Sequence, residues 1–435
     1  MKDLHRWTCI VAGAVLLLSN PLTMLRAQSA DQTELMQQLL ARIEQLESRV
    51  TELERDSGAG GPVAVTPAVL RLPMAHAPES SPAPTPMPPA SQLPSAAAVE
   101  AQPTYPSLRW AGFSDFNFSA TDQRNARSGF TEGQFALHLS SALSSKVTYF
   151  GELSATARTD AGSGSPAATG FNFEVERSFI RFDQNDYFKA SFGRYHTPIN
   201  YWNTAFHHGQ WLQTSIARPE MTQFGGRFVP VHFVGGLIEG AVPLGGLNLN
   251  YNVGLGNGRG SVSSRGGDAG DVNNNRAWLV NLSSKPSRFY GLQVGGSFYR
   301  DKLGAPGNRA FGEWIGAAHI IWQKENPELI AEFANVHHDE QGGHAVSNSQ
   351  AYYIQAAYRL PWFGSVWKPY YRFEYIHVPQ SDPVFQGVPN LVGSIVGLRY
   401  DISSFAAIKA EYRNQRRLPG QPNVNGGFLQ TSFTF

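Results

Sequence analysis

The most regular feature of the sequence is an alternation of apolar and polar residues. Near the C-terminus, Ile408 and Tyr412 fall on one face of an extended strand, whereas Lys409 and Arg413 fall on the other, because successive side chains of a strand point to opposite sides. The same two-residue period recurs in short segments over most of the chain after residue 107. It predicts β-structure throughout this region.

Turn-rich stretches divide this region into about sixteen predicted strands. They cover residues 108–118, 130–141, 146–157, 171–182, 187–194, 231–241, 247–256, 275–283, 289–300, 312–323, 327–336, 349–360, 367–376, 391–401, 405–415 and 427–435. Every second connection is predicted to be short, as at 183–186, and the others to be longer and polar, as at 256–274. An even strand number with this alternation is typical of bacterial membrane barrels.

Segment length and charge decide between a membrane barrel and a soluble β-sandwich. Sandwich strands are commonly ~5–6 residues long, whereas ~10 residues are needed to cross a bilayer at a tilt, and the segments here are near that length. A lysine or arginine facing lipid near the midplane costs about 2–4 kcal/mol. The predicted fold is therefore an all-β transmembrane barrel over residues 108–435, with the ionic face of each strand toward a water-filled lumen.

A different period precedes the barrel. Met36, Leu39, Ile43 and Leu46 follow alternating steps of three and four, which is the heptad spacing of a coiled coil. Arginines at g positions and glutamates at the following e positions favour a parallel self-association over residues 31–56. The residue types at the a and d positions favour a coiled coil of two helices, whereas the family resemblance described below favours three helices. The alternative to both is a lone amphipathic helix.

The regions on either side of the predicted coiled coil have their own compositions. Residues 1–27 are interpreted as a secretory signal, with Lys2 and Arg6 ahead of an apolar run too short for a spanning helix. Residues 57–107 are rich in Pro, Ala and Ser, which predicts an extended tether without a core. An exported barrel with an even strand number keeps both ends on the periplasmic side. The N-terminal segment is therefore expected in the periplasm.

Composition excludes several classes of function. The net charge of +1 and the lack of a sustained basic run give no attraction for nucleic acid. The single cysteine, Cys9, lies in the predicted signal, so the mature chain is expected to have neither disulfides nor thiolate metal sites. The sequence has no lipase elbow, zinc-protease motif or phosphate-binding loop. We therefore expect neither enzyme activity nor a cofactor.

Short motifs carry a resemblance to a known family. They are the segments 192–198, 254–258 and 409–413, together with the terminal Phe435 after alternating apolar residues. With the signal, coiled coil, tether and barrel, they resemble the phosphate-selective porin O and P family. The resemblance implies a trimer of pores in the outer membrane. It does not by itself imply phosphate, because that selectivity depends on a concentrated basic ladder that we do not find.

The longest predicted connection, residues 195–230 between the fifth and sixth strands, is the main candidate site. In general porins the loop at this place folds inward and narrows the channel. The predicted constriction residues are His196, Tyr201, Trp202, His207, His208, Trp211, Arg218, Glu220 and Arg227. The alternative is that these aromatic residues form the outer girdle and a surface cap.

Charges at inward-facing positions are the second candidate set. Opposed rows of both signs along a pore wall orient dipolar solutes. The predicted lining charges are Glu152, Arg181, Lys189, Glu332, Arg359, Arg372, Glu374, Arg399, Lys409, Glu411 and Arg413. The pairs Lys409/Glu411 and Arg372/Glu374 are equally compatible with wall contacts that neutralise each other.

Histidines suggest a metal site, at His207 and His208 and at the run 337–340 with His344. Adjacent residues on an irregular loop do not automatically converge on one ion. We therefore expect no metal.

These patterns predict an outer-membrane porin for the passive diffusion of small hydrophilic solutes, with anions such as phosphate as one candidate cargo. The predicted partners are membrane lipid, the solutes and two further copies of the chain. The alternative function is a structural anchor that links the outer membrane to the cell wall or to a periplasmic partner through the coiled coil. The solute and the sign of ion selectivity stay open.

Overall fold

The computed structural model describes residues 105–123, 128–158, 170–206, 208–223, 228–260, 270, 273–304, 309–418 and 423–435. The predicted signal and coiled coil and nearly all of the predicted linker lie outside the described residues, as do His207 and Arg227.

The described residues form sixteen strands that close into a single antiparallel barrel. The strands are β1 (Ser107–Thr121), β2 (Gly129–Ala142), β3 (Val147–Ala157), β4 (Phe171–Asn185), β5 (Phe188–His196), β6 (His232–Val242), β7 (Leu249–Asn257), β8 (Ala277–Ser284), β9 (Leu292–Gly304), β10 (Ala310–Gln323), β11 (Glu328–Glu340), β12 (Val346–Ala357), β13 (Trp367–His377), β14 (Asn390–Ser403), β15 (Ala406–Leu418) and β16 (Val424–Thr434). Each predicted segment corresponds to one of these strands, so the predicted all-β barrel is confirmed.

The last strand closes the barrel against the first. Phe113 of β1 pairs with Thr434 of β16, and the backbone groups of Gly112 and Phe435 exchange hydrogen bonds of 2.8 and 3.0 Å. A Cβ atom on Gly112 would lie 2.3 Å from the Phe435 ring. A glycine at this position therefore lets the terminal ring pack closely against the β1 backbone.

The two faces of the strands have opposite chemistry, as the alternation predicts. Ile354 and Ile408 point outward and are 53% and 43% exposed, whereas the inward Gln355 and Lys409 are 1% and 0% exposed. Apolar side chains cover the outside and polar side chains are buried inside, which is the reverse of a soluble protein. Such an exterior is stable against hydrocarbon and costly in water.

The connections form two sets, which name the two ends of the barrel. The short-turn end contains the connections 143–146 and 324–327, and the long-loop end contains 197–231 and 258–276. The predicted alternation is weaker than the sequence indicates, because 341–345 at the long-loop end is short.

Regular helix is nearly absent from the described part of the chain. The one α-helix found there, α1 (Trp202–Ala205), has four residues and lies within the connection between β5 and β6. None of the helices in the described residues is long and apolar enough to cross a membrane.

Candidate functional site

The connection between β5 and β6, residues 197–231, runs through the barrel lumen and is called the inward loop. On one side, the backbone N–H of Tyr201 donates to Glu332 Oε1 of β11 at 2.6 Å. On the other side, His208 Nδ1 lies 2.6 Å from Gln134 Oε1 of β2. Because β2 and β11 stand on opposite sides of the barrel, the loop crosses the lumen.

Carboxylates of the barrel wall accept hydrogen bonds from the backbone of this loop. Glu411 Oε2 on β15 accepts the N–H groups of Ile216 at 2.9 Å and Ala217 at 3.2 Å. Glu374 Oε2 on β13 accepts the N–H of Glu220 at 3.0 Å. These acids satisfy donors that an irregular buried segment does not pair by itself.

Basic side chains of the same wall bind the carbonyl oxygens of the loop. Arg399 Nη1 on β14 donates to Trp211 at 2.7 Å and to Gln213 at 2.8 Å. Lys409 Nζ on β15 donates to the carbonyl oxygen of Ser215 at 3.3 Å. The wall therefore binds the two kinds of backbone group with different side chains. Acidic side chains accept hydrogen bonds from the N–H groups, and basic side chains donate to the carbonyl oxygens.

Arg372 of β13 lies at the centre of this contact and is fully buried. Its Nη1 donates to Ala217 O at 2.8 Å and to Ser215 Oγ at 2.9 Å, and its Nη2 donates to Arg218 O at 3.2 Å. Its Nε donates to Glu374 at 2.6 Å. One guanidinium thus holds three loop residues and one wall carboxylate.

Several predicted lining charges therefore lie under the inward loop. Lys409, Arg372, Glu332, Glu374 and Glu411 are each no more than 4% exposed. Of the two pairs considered above, Arg372 and Glu374 form an ion pair, while Lys409 and Glu411 bind different groups of the loop. Glu411 is instead paired with Arg413 at 2.6 Å.

Other predicted lining charges keep access to water near the short-turn end. Arg181 has 32% side-chain exposure and pairs with Asp183 at 2.7 Å, and Lys189 has 28%. Arg359 does not lie on a strand of the wall as predicted, because β12 ends at Ala357. It lies in the following turn. There it pairs with Glu325 and Asp401 at 2.7 and 2.6 Å, respectively.

The aromatic residues of the inward loop lie inside the barrel rather than in an outer girdle. Trp202 is completely buried and contacts Tyr353 of β12 edge to face, with ring centroids 5.9 Å apart. The Tyr201 hydroxyl accepts a hydrogen bond from Gln323, and burial raises the pKa of Tyr201 to about 12. Trp211 is half-buried beneath the Arg399 guanidinium at 5.9 Å.

The charged residues near the end of the loop are held locally. Arg218 is buried and its Nε donates to Thr222 O at 2.9 Å; burial lowers the pKa of Arg218 to about 9. Glu220 pairs with Arg417 of β15 at 3.1 Å. These contacts fix the return path of the loop toward β6.

Polar cavities lie on both sides of the inward loop. Two cavities of about 350 and 290 Å³ face the short-turn end and share the lining residues Thr204, Glu239, Asn252 and Asn281. A third, of about 470 Å³, faces the long-loop end and is lined in part by Gln210 of the loop. The lumen thus keeps water-sized space above and below the loop.

A cluster of histidines and carboxylates lies where the loop meets β3 to β6. His208 Nε2 is 3.3 Å from Glu176 Oε1, and His232 Nε2 is 2.8 Å from Glu176 Oε2. His196 Nε2 is 3.6 Å from Glu152 Oε2. Both groups of three, Glu152 with His196 and His208 and Glu176 with His196 and His232, place their ligand atoms within 4.8 Å of one another, which is metal-binding spacing.

Sequence reasoning missed Glu176 and His232 of this cluster. The available signal was a histidine at each end of the longest connection: His196 ends β5, His232 begins β6, and the two are paired in register. The position of His208 close to these residues depends on the path of the loop, which the sequence does not indicate.

No family model and no curated protein matches the chain. Solved structures do match. OmpT of Vibrio cholerae, in a trimer form, is 11% identical with a TM-score of 0.51 over 76% of this chain and 99% of that chain.

Two further structures match equally well. OmpF of Salmonella typhi in complex with daunomycin is 12% identical with a TM-score of 0.52, over 76% of this chain and 98% of that chain. The outer-membrane channel DcaP of Acinetobacter baumannii is 11% identical with a TM-score of 0.52, over 75% and 97%. At these identities the likeness shows the fold, the closed barrel of outer-membrane porins. The resemblance to the phosphate-selective family stays a prediction.

Proposed function

We propose that this protein is an outer-membrane porin through which small hydrophilic solutes diffuse passively. The observation that carries the proposal is the inward loop, which crosses the lumen between polar cavities and is held there by buried wall charges such as Arg372 and Glu411. A barrel that served only as an anchor has no need of such a loop. A pore needs it to set the width and lining of the passage.

The lining charges support a mild preference for anions near the short-turn end. Lys189, Lys285, Arg177 and Arg181 line the two cavities there, against two acids, Asp186 and Glu239. The third cavity has Asp115, Glu132 and Arg158 in its lining. Neither region is a ring of one sign, so we propose weak selectivity for small anionic or dipolar solutes, with phosphate as one candidate.

The same proposal places the chain as a trimer in the outer membrane, with the N-terminal segment in the periplasm. The apolar exterior of the strands and the predicted heptads of residues 31–56 support it. One of the similar solved structures is described as a trimer form. Native mass spectrometry of the detergent-solubilised mature chain tests the subunit number.

Reconstitution into planar lipid bilayers tests the pore. Folded protein should give stepwise ion conductance, and a correctly folded barrel without conductance would rule the function out. Under a KCl gradient, Arg181→Ala and Lys189→Ala should each move the reversal potential toward cation selectivity. Arg359→Ala is the matched control, since Arg359 is held in a turn by Glu325 and Asp401.

The structural anchor remains the second candidate, motivated by the predicted coiled coil and tether. Deletion of residues 31–105 separates the two functions. A pore should keep its conductance without this segment, whereas an anchor should lose its attachment to the cell wall and release outer-membrane blebs.

A further inference from the structure

The histidine and carboxylate cluster suggests a function that the pore does not explain. Glu152 of β3, His196 at the end of β5 and His208 of the inward loop are buried, and their ligand atoms lie within 4.8 Å of one another. We propose that a divalent transition-metal ion such as Zn²⁺ binds these three residues and fixes the inward loop to the β3–β5 wall. Imidazole nitrogen and carboxylate oxygen are ligands that Zn²⁺ commonly uses.

Hydrogen bonding around His208 orients it for this role. The Gln134 side-chain nitrogen donates to Thr156 Oγ1 at 3.3 Å, which assigns its oxygen to His208 Nδ1 at 2.6 Å. Because an amide oxygen only accepts, Nδ1 carries a proton. Neutral His208 then presents the lone pair of Nε2 to Glu176 Oε1 at 3.3 Å. Two acceptors facing each other at this distance need a cation between them, either a second proton or a metal ion.

Partner contacts favour Glu152, His196 and His208 over the other group of three. Arg194 Nη2 lies 3.0 Å from His232 Nδ1, and a guanidinium only donates. Neutral His232 therefore carries its proton on Nε2, which faces Glu176 Oε2 at 2.8 Å. His232 is thereby a hydrogen-bond donor to Glu176, which leaves Glu176 close enough to His208 to serve as an additional ligand.

Arg177 competes with the metal in this arrangement. Its Nε contacts Glu152 Oε2, and a bound divalent cation would repel it. The Arg177 side chain is 23% exposed and lines the 290 Å³ cavity together with His196. It therefore has water to move into, and the same cavity gives an ion a route to the site.

The position of the site gives the ion a mechanical role. Wall charges of β11 and β13–β15 already hold one side of the inward loop, as Glu332 and Arg372 illustrate. A metal ion bound to His208 would fix the opposite side of the loop. Contacts at both walls would then hold the loop across the lumen. The loop position would then respond to the metal supply at the short-turn end, which the 290 Å³ cavity faces.

Metal binding to the full mature barrel in detergent tests this inference. After stripping with a chelator, isothermal titration with ZnCl₂ should show one saturable site per chain. His208→Gln should weaken binding at least ~10-fold, and Gln134→Leu, which removes only the partner of the ligand, should weaken it by roughly 10–100-fold. Arg177→Gln should tighten binding, an effect that a purely structural role does not produce.

His344→Gln is the matched control, because His344 lies exposed on the connection after β11. It should leave the affinity unchanged. Resistance of the folded barrel to SDS without heating verifies the fold of each variant. Two results would overturn the site: no Zn²⁺ uptake by folded protein, or equal uptake by wild type, His208→Gln and Gln134→Leu. Because the readout is binding, the outcome does not depend on whether the barrel conducts.

Discussion

Glu411 illustrates how single charged residues of the wall work. The residue is 4% exposed, and its carboxylate accepts hydrogen bonds from two loop N–H groups, from the Tyr370 hydroxyl at 2.9 Å and from Arg413 at 2.6 Å. A buried carboxylate is tolerated when its lone pairs are used in this way. The alternation in the sequence predicts that Glu411 faces inward, whereas its partners come from both the inward loop and the neighbouring wall.

Replacing Glu411 should loosen the inward loop without opening the barrel. Glu411→Ala leaves the N–H groups of Ile216 and Ala217 without their acceptor, at a cost of about 1–3 kcal/mol. We expect this loss in urea unfolding in lipid vesicles, together with larger current fluctuations in bilayers. Glu411→Gln keeps one acceptor oxygen and should lose less.

Glu174→Ala on β4 is the control for Glu411, because its carboxylate accepts from Asn172 at 2.8 Å at an exposed position. It should leave both the unfolding free energy and the current noise close to wild type. Equal effects of Glu411→Ala and Glu174→Ala would contradict the anchoring role.

Asp382, in the connection between β13 and β14, gives a pH prediction. Burial opposes its ionisation, but hydrogen bonds with His338 and from the N–H groups of Phe385 and Val384 lower the pKa of Asp382 to about 2. A depressed carboxyl pKa stabilises the fold above the ordinary pKa of ~3.9, and this contribution is lost as pH falls toward 2.

The difference in unfolding free energy between wild type and Asp382→Asn should therefore be about 2 kcal/mol above pH ~5 and shrink as pH falls toward ~2. Urea titrations at several pH values measure it. Asp186→Asn, in an exposed turn, supplies the control and should show no such trend. An Asp382→Asn difference that is the same at pH 2 and at pH 6 would refute the prediction.

At the scale of elements, β7 gives a direct test of the two-sided strand. Asn252 lines the lumen cavities, while the adjacent Val253 is 44% exposed on the outside. Because Val253 lies at the middle of the strand, Val253→Lys should cost about 2–4 kcal/mol in lipid. Asn252→Lys should cost much less, since its charge meets water.

Folding yield and urea unfolding in vesicles compare the two β7 variants. The same substitution at neighbouring positions keeps charge and size constant, so the difference reports the solvent on each face. A similar loss in both variants would mean that β7 does not separate lipid from water.

The strands also show which elements are predictable from sequence. All sixteen follow from the two-residue period and from turn residues, because every strand meets a different solvent on each face. Strand ends follow less closely: β12 begins at Val346 and ends at Ala357, instead of 349 and 360. The period marks which residues are extended, whereas neighbouring strands decide where pairing stops.

At the scale of the whole molecule, the inward loop crosses the lumen, and we propose that it limits the passage through the barrel. Replacing residues 199–222 by a short Gly-Ser connection should raise the conductance step, because the loop fills the lumen beside β11 to β15. Single-channel recording measures the step. Shortening the connection 378–389 at the long-loop end serves as a control for loop removal, and an unchanged step after removal of the inward loop would show that it does not limit the current.

The sequence by itself determined the parts of this protein that depend on local solvent contrast. Alternation placed Lys409, Glu411 and Arg372 on the inner face and Ile408 on the outer face, because a charge in lipid costs too much for any other register. Strand number followed from the same pattern, and the division into short turns and longer loops followed in part, since the connection 341–345 at the long-loop end is short. These features need no knowledge of distant contacts.

Only the tertiary structure decided what the inner face touches. Whether Lys409 meets open water or the carbonyl oxygen of Ser215 depends on the path of a loop whose backbone has no periodic pattern. The same path brings His208 to His196 and Glu152. Closure of the barrel places residues far apart in sequence at one point of the lumen, so the site arises from geometry that periodicity does not encode.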